Sequence, residues 1–296
     1  MDNNAPAIRV GTAGWHYKDW YGNVYPENPP AGFKELDYIA GLFHTAEINA
    51  TFYKPSNSFM AAAWARKISM NPDFKLTAKL WQRFTHDTAE AGKEDAALYY
   101  DGIRPLAESG RLGAVLIQFP WRFRNTDASR LRLSRIIDTF HDLPLVVEVR
   151  HASWDVDAFY SYLDDHGIGF ASIDQPVIGQ SIAFKPVRTG TIGYVRLHGR
   201  NYTDWFPKKE SRKPAFARYD YLYNEKEIEE IAENIKTVAE GSHETYVIQN
   251  NHPRGQAAAN AMQIRAALGE TILNLPESLI RHFPVLKKLL NKQPPP

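Results

Sequence analysis

The sequence predicts a (β/α)8 TIM barrel, and three observations carry that prediction. Eight short apolar runs alternate with segments whose apolar residues recur at helical spacing, the pattern of a parallel sheet wrapped in helices. Several runs, 113–120 above all, are almost continuously apolar, as strands covered on both faces are. The 296 residues suit one such barrel, which typically takes about 250. A doubly wound open sheet is the runner-up, but no Gly-x-Gly-x-x-Gly follows any strand and no Gly-Lys-Ser/Thr phosphate loop is present. With no internal repeat and no low-complexity linker, residues 1–296 are expected to form one domain. The barrel would span about 8–268, a C-terminal helix about 276–291, and a frayed tail 292–296.

The elements follow in order. A first strand at 8–14 ends at glycine and enters a loop, 15–30, rich in aromatics and prolines. Phe33, Leu36, Ile39 and Phe43 have helical spacing. The second strand, in 46–53, runs into a loop; Glu47 and Asn49 are two apart and so share a face, with Ile48 on the other. Ser58 is placed to cap a helix running to 68. Residues 74–80 alternate, with Lys75, Thr77 and Lys79 on one side. A helix at 90–109 stops at Gly110 or Gly113, and Pro105 is a point for a kink or split. Strands at 113–120, 145–150, 168–174, 192–198 and 245–250 complete the eight. Helices are expected at 127–140, 155–166 with Gly167 at C′, 225–240 and 256–268. Residues 175–190 have room for a small excursion, 199–223 form a long loop, and a last helix at 279–290 is interrupted or started at Pro284.

Composition excludes several classes. Lys and Arg total 35 against 34 Asp and Glu, so no global field favours nucleic acid or membrane. The absence of cysteine removes disulfides, thiolate metal sites, Cys-ligated iron–sulfur clusters and Cys nucleophiles. Residues 1–9 lack the basic region and apolar core of a signal peptide, and no apolar run approaches the roughly 18 residues of a membrane span. A cytoplasmic protein without a membrane partner is the expectation.

Active sites of such barrels lie at the carboxyl ends of the strands. Polar residues collect there: Glu47 and Asn49, Thr77 and Lys79, Gln118, Glu148 and Arg150, Ser172 and Asp174, Arg196 and His198, Gln249 and Asn251. The members of each pair share a face, and their apolar neighbours should face the helices. The set is expected to line the barrel mouth. The plainer reading is a buried ion-pair network, with Glu148 on Arg150 or Arg196. A ring drawn from seven strands favours chemistry, because stability alone does not call for so much buried polarity.

The motifs are Gly-Thr-Ala-Gly-Trp at 11–15, Glu-Ile-Asn-Ala-Thr-Phe-Tyr at 47–53, Lys79 with Thr85-His86, and Leu-Ile-Gln-Phe-Pro at 116–120. Val-Glu-Val-Arg-His with Ser-Trp at 147–154, Tyr-Val-Arg-Leu-His-Gly at 194–199, and Gln-Asn-Asn-His-Pro-Arg-Gly-Gln-Ala at 249–257 with Asn260-Ala261 follow. Through these the chain resembles the YecE-like family (domain of unknown function 72) over about residues 8–268. The resemblance implies a TIM barrel and brings no established activity. Gln249 departs from the pattern, in which an aromatic is expected before the Asn pair.

Acid–base chemistry is the first function expected of the ring. Glu47 and Glu148 would share acid and base work if their neighbours push their pKa values apart. Lys79, Arg150 and Arg196 would hold Glu148 ionised or bind a phosphate or carboxylate, and His198 is the natural proton shuttle. Glu47, Glu148, His198 and Lys79 are thus the candidate catalytic residues. Trp15, Asn49, Tyr53, His86, Gln118, Arg150, Asp174 and Arg196 are candidates for the substrate, which is expected to be phosphate-bearing or sugar-like. Hydrolase or isomerase chemistry is favoured. A phosphate would sit at Asn250, Asn251, Arg254 and Gly255, ahead of the helix starting near Gln256, where ordinary helix capping is the simpler reading. The alternative is a nucleic-acid or nucleotide-binding or processing protein. It would use Arg200, Lys208, Lys209, Arg212, Lys213 and Arg218, which face only Asp204 and Glu210. Trp205, Phe206 and the first-loop aromatics would stack bases at roughly 1–3 kcal/mol each. A solvated loop explains the same charge. A metal-dependent hydrolase or isomerase is the third reading. Glu47, Glu148, Asp174 and His198 are ligands of suitable type, but Lys79 and Arg150 would compete with a divalent cation, and no cofactor is the expectation.

Overall fold

Eight parallel strands close on themselves in chain order: β1 (Ala7–Ala13), β2 (Thr45–Ile48), β3 (Lys75–Lys79), β4 (Leu112–Gln118), β5 (Leu145–Glu148), β6 (Gly169–Asp174), β7 (Ile192–Leu197) and β8 (Glu244–Gln249). The structure is a computed structural model and describes residues 7–87, 91–206, 213–273 and 275–290. Between and after the strands lie α1 (Glu35–Leu42), α2 (Ala50–Tyr53), α3 (Ser58–Lys67), α4 (Gln82–Thr85), α5 (Lys93–Glu108), α6 (Asp127–Phe140) and α7 (Asp157–Asp165). They are followed by α8 (Glu225–Ala239), α9 (Gln256–Ala267), α10 (Glu277–His282) and α11 (Lys287–Leu290). This is the (β/α)8 barrel that the apolar runs predict, because strands buried on both faces need helices outside and side chains inside.

Local chemistry accounts for the element ends. In α8 the Asn224 side chain accepts from the Glu227 amide while Glu227 reaches back to the Asn224 amide, a capping box. Ile228, Ile231, Ile235 and Val238 then form its buried stripe. Gly167 follows α7 with φ +68°, the left-handed position that stops a helix, as expected. Other details differ from expectation. Asn57, not Ser58, caps α3, since it lies in extended backbone and accepts from the Met60 amide at 2.8 Å. Pro105 sits in α5 without splitting it, and residue 90 lies outside the described residues. The C-terminal segment breaks at Phe283 and Pro284 into two short helices joined by a 3-10 turn. The β6–β7 connection carries no helix among the described residues. It is pinned instead by a His151–Ser181 bridge and by Thr189, whose hydroxyl donates to the Ile168 carbonyl at 2.7 Å.

The register decides which residues enter the barrel. Partners across a parallel pair share a face, and Glu47 pairs with Thr77, Lys79 with Leu116, Gln118 with Glu148, and Arg196 with both Ile173 and Ile248. Thr77 and Arg196 both point inward, as their contacts below show. At the lower end the lumen closes with Glu244, which accepts from Lys75 at 2.8 Å and pairs with Arg9 at 3.1 Å. Tyr246 fills the space that a side chain at Gly113 would need.

Candidate functional site

The floor of the mouth is an ion triad. Glu47 and Glu148 are fully buried, and Arg196, 1% exposed, lies between them. Its Nη2 donates to Glu47 Oε1 at 2.7 Å and its Nη1 to Glu148 Oε2 at 2.5 Å. Glu148 Oε1 accepts from Arg150 at 2.8 Å. Glu47 Oε2 accepts from the Tyr194 hydroxyl at 3.0 Å, and that hydroxyl also meets Thr77 Oγ1 at 3.0 Å. Every oxygen of both carboxylates therefore has a donor. Burial alone would raise the Glu148 carboxyl; the charges of Arg196 and Arg150 outweigh it and hold the group well below the usual carboxylate range.

The rim is built differently. Lys79 lies two residues beyond Thr77 on the same face of β3. Its ammonium nitrogen is 4.1 Å from the centre of the Phe52 ring, and it forms no ion pair with any described carboxylate. Burial, followed by the Arg196 charge, lowers its amine to about 7 against the pull of Glu47 and Glu148. His198 is fully buried, with Nδ1 2.8 Å from the Asn250 amide and Nε2 3.4 Å from Arg150 Nη2 and 3.8 Å from Glu148 Oε1. Burial, then Arg150 and Arg196, push the ring well below the ordinary histidine value, so it is neutral at pH 7. His86 packs edge-on against Phe52 at 4.9 Å, and burial and the Lys79 charge lower it to about 4. Gln118 stands in register with Glu148 and is partly exposed.

An aromatic cover closes over these groups. Trp205 and Tyr219 lie 6.2 and 6.0 Å from the His198 ring. Tyr17 stacks on His252 at 4.5 Å, and Trp121 meets His151 at 5.2 Å and Phe206 at 6.4 Å. Trp121 Nε1 and His151 Nε2 are buried without a hydrogen-bond partner among the described residues. Phe52, Trp121, His151, Tyr219 and Tyr194 are absent from the candidates drawn from the sequence, where Tyr17 and Trp205 enter only as base-stacking aromatics of their loops. A signal existed for Tyr17 and Trp205 in the aromatic density of their loops, whereas nothing local marks Tyr194.

Several expected residues are placed elsewhere. β2 ends at Ile48 because Asn49 turns into helical backbone (φ −80°, ψ −25°), so Asn49 does not share a strand face with Glu47; its amide lies at the Tyr17 hydroxyl instead. On β6 the inward residue is Ile173. Ser172 and Asp174 pair with Val195 and Leu197 and face the helix layer. There Asp174 accepts from Arg200 at 2.7 Å and from the Tyr223 hydroxyl at 2.7 Å. On β8 Asn250 turns to His198, whereas Asn251 donates outward to the Tyr221 carbonyl at 2.8 Å and to Asn260 at 2.7 Å. Gln249 also faces outward, with both amide atoms buried and unpartnered, so the family departure there does not touch the mouth. Trp15 packs edge-on against Trp64 of α3 at 6.3 Å, and Tyr53 is 70% exposed.

The expected phosphate loop is already engaged with acids. Arg254, in left-handed backbone at φ +56°, donates its amide to Asp19 at 2.6 Å and its guanidinium to Asp220 at 2.5 Å. Gly255 follows at φ +86°. The basic seventh loop is likewise paired where described: Arg200 with Asp174, Lys213 with Asp204 at 2.8 Å, and Arg218 over the Tyr219 ring. Lys208, Lys209, Glu210 and Arg212 lie outside the described residues. Of the four candidate metal ligands, Asp174 faces outward and Arg196 separates the two glutamates; among the described residues no group of three His, Cys, Asp or Glu is arranged to hold a metal ion. Among the described residues no helix is long and apolar enough to cross a membrane. Two clefts of about 660 and 610 Å³ flank α6, lined by Phe84, Leu131 and Ile136 and by Leu131, Trp154 and Phe159. They lie in the helix layer and contain none of the ring.

Fold and ring together define a TIM-barrel protein with a polar, aromatic-covered mouth at the carboxyl ends of its strands. The family model described as Protein of unknown function DUF72 matches residues 9–281, and the chain belongs to that family. It is 26% identical over 270 residues to UPF0759 protein YunF of Bacillus subtilis, covering 87% of this chain and 93% of that one. A crystal structure of a DUF72 family protein from Thermotoga maritima shares 34% identity and a TM-score of 0.79, over 89% of this chain and 100% of that one. Another from Enterococcus faecalis shares 26% identity and a TM-score of 0.78, over 91% and 99%.

Proposed function

We propose that the protein is an enzyme that binds a small anionic or sugar-like substrate in the barrel mouth and moves protons on it. One observation carries this reading: the charges of the floor are paired, although Arg196 Nε is buried without a hydrogen-bond partner among the described residues, and the Lys79 charge at the rim is not. The two carboxylates and the Arg196 and Arg150 guanidiniums balance one another. Among the described residues the rim retains a Lys79 amine without an ion pair, a neutral His198, and the unpartnered Trp121 Nε1 and His151 Nε2. Lys79 and Arg150 supply positive charge for a carboxylate or phosphate, and Trp121 and His151 supply polar contacts for hydroxyl groups. Lys79, titrating near pH 7, is the group suited to take and return a proton, because an efficient general base titrates near the working pH. Glu47 and Glu148 orient the cations in this reading. The pair is ill-suited to divide acid and base work, since a guanidinium fills the space where glycosidase carboxylates admit substrate.

Incubation with a metabolite extract of small acids, sugars and sugar phosphates, followed by mass spectrometry, tests the reading. Loss of a compound with the wild-type protein and its persistence with Lys79→Met supports it. An extract left unchanged by the wild type, or changed equally by Lys79→Met, overturns it.

A further inference from the structure

We infer that Lys79 is a nucleophile that forms an imine with its substrate, and that the substrate class is an aldehyde or ketone carrying a carboxylate or phosphate that Arg150 holds. The inference rests on the reading above for where the substrate sits, and deepens it by naming the bond that forms.

An amine in this role must lie inside a site, keep its lone pair unshared, and have no carboxylate fixing its proton. Lys79 meets each condition. It ends β3 among the inward residues, is 9% exposed, and borders the face of Phe52. Five other described lysines are tied to acids: Lys75 to Glu244 at 2.8 Å, Lys185 to Asp155 at 2.5 Å, Lys213 to Asp204 at 2.8 Å, Lys236 to Glu233 at 2.7 Å and Lys288 to Glu225 at 2.7 Å. Lys79 pairs with no described acid, and burial with the charges of Arg196 and Arg150, against the pull of Glu47 and Glu148, brings its amine to about 7. About half of it is then free base at neutral pH, against roughly one part in a few thousand for an ordinary lysine.

The anion site is adjacent. Arg150 turns both Nε and Nη2 to Glu148 Oε1, each at 2.8 Å, with Nη2 also 3.4 Å from His198 Nε2; no described group takes its Nη1. A carboxylate or phosphate beside the carbonyl would meet that edge and the positive field of the rim. The step balances without any oxidant. The Lys79 nitrogen lone pair bonds to the carbonyl carbon, and the C=O π pair moves to oxygen. One amine proton passes to that oxygen, giving a carbinolamine. The hydroxyl then leaves as water with one proton from solvent, and the nitrogen lone pair closes a C=N bond as a protonated imine. That imine is an electron sink for the proton transfer proposed above.

Reductive trapping on the full-length protein tests this. Glyoxylate and, separately, glycolaldehyde (an uncharged aldehyde with a hydroxymethyl in place of the carboxylate) are offered with sodium cyanoborohydride, and adducts are located by peptide mass spectrometry. Lys79 should be labelled over the exposed Lys34 by about tenfold or more at pH 7. Its labelling should rise with pH through about 7, because the free base is the nucleophile. Glyoxylate should label Lys79 faster than glycolaldehyde does, and Arg150→Gln should remove that preference. Label spread over exposed lysines with Lys79 unmodified overturns the inference, as does Lys79 labelling that climbs only in the range of ordinary lysines. Lys79-dependent depletion of an extract compound beside an unlabelled Lys79 overturns the imine and leaves the acid–base reading standing. An extract left unchanged by the wild type is the failure of that reading and is seen before any trapping.

Discussion

Arg196 and Lys79 reach the barrel mouth from inward positions near the ends of their strands, and both are buried. Arg196 lies between two carboxylates and donates to each. Lys79 faces the Phe52 ring and forms no ion pair among the described residues. The same burial therefore has opposite consequences. Around Arg196 the desolvation of each charge is offset by an opposing charge and by hydrogen bonds, and the guanidinium and Glu148 both stay ionised. Around Lys79 it is not offset, and the amine moves toward neutrality. Burial does not distinguish the two ions; the pairing of their charge does.

Removing the compensation at the floor should have the largest effect. Arg196→Met leaves Glu47 and Glu148 buried without their shared cation. It should lower unfolding free energy by about 3–5 kcal/mol, read from the urea midpoint at unchanged slope. Adding Glu47→Gln and Glu148→Gln should restore much of that loss. A cost near zero for Arg196→Met would show that the floor is not a compensated unit.

Removing the uncompensated charge at the rim should act in the opposite direction. The folded-state value of Lys79 is lowered to about 7 from an ordinary unfolded value of about 10.4. The unfolded chain thus binds more protons between these values, so stability rises with pH across that window. The cost of Lys79 is complete below about pH 7 and fades as pH approaches about 10. Lys79→Met should therefore stabilise the protein by about 2–4 kcal/mol near pH 6, with the gain shrinking as pH rises. Chemical denaturation at several pH values reads both size and sign, and a loss at every pH removes the contrast between floor and rim.

The smallest of the three changes trims the floor. Tyr194→Phe deletes the hydroxyl shared by Glu47 and Thr77 and should cost about 1.5–3 kcal/mol, as a buried hydrogen bond to a charged group does. The difference from the wild type should stay flat with pH around 7, because Lys79 is present in both. An unchanged urea midpoint would show that the floor does not need this donor.

The residues of the floor were largely legible in the sequence, because a carboxylate or arginine at the end of an apolar strand is conspicuous there. Glu47, Glu148, Arg150, Arg196, Lys79 and His198 all lie at the mouth. Their relations were not legible. Tyr194 looks like an ordinary aromatic on an apolar strand, yet its hydroxyl completes a carboxylate 147 residues away. Trp121, Trp205 and Tyr219 stand in long loops whose path no local pattern sets. Asp174 and Asn251 stand near strand ends as the true mouth residues do, and only the register separates them.

The sequence by itself determined the barrel: the apolar runs, the helical spacings between them and the polar residues near their ends. Tertiary structure alone decided which of two faces looks inward. A parallel strand covered on both sides carries apolar residues on both faces, so alternation does not mark the core side as it does in a half-exposed strand. That is why β6 presents Ile173 and turns Asp174 outward, and why Asn250 rather than Asn251 meets His198. Closure of the barrel also set Arg196 between Glu47 and Glu148, drawn from three strands far apart in the chain, and left Lys79 beside them without an ion pair among the described residues.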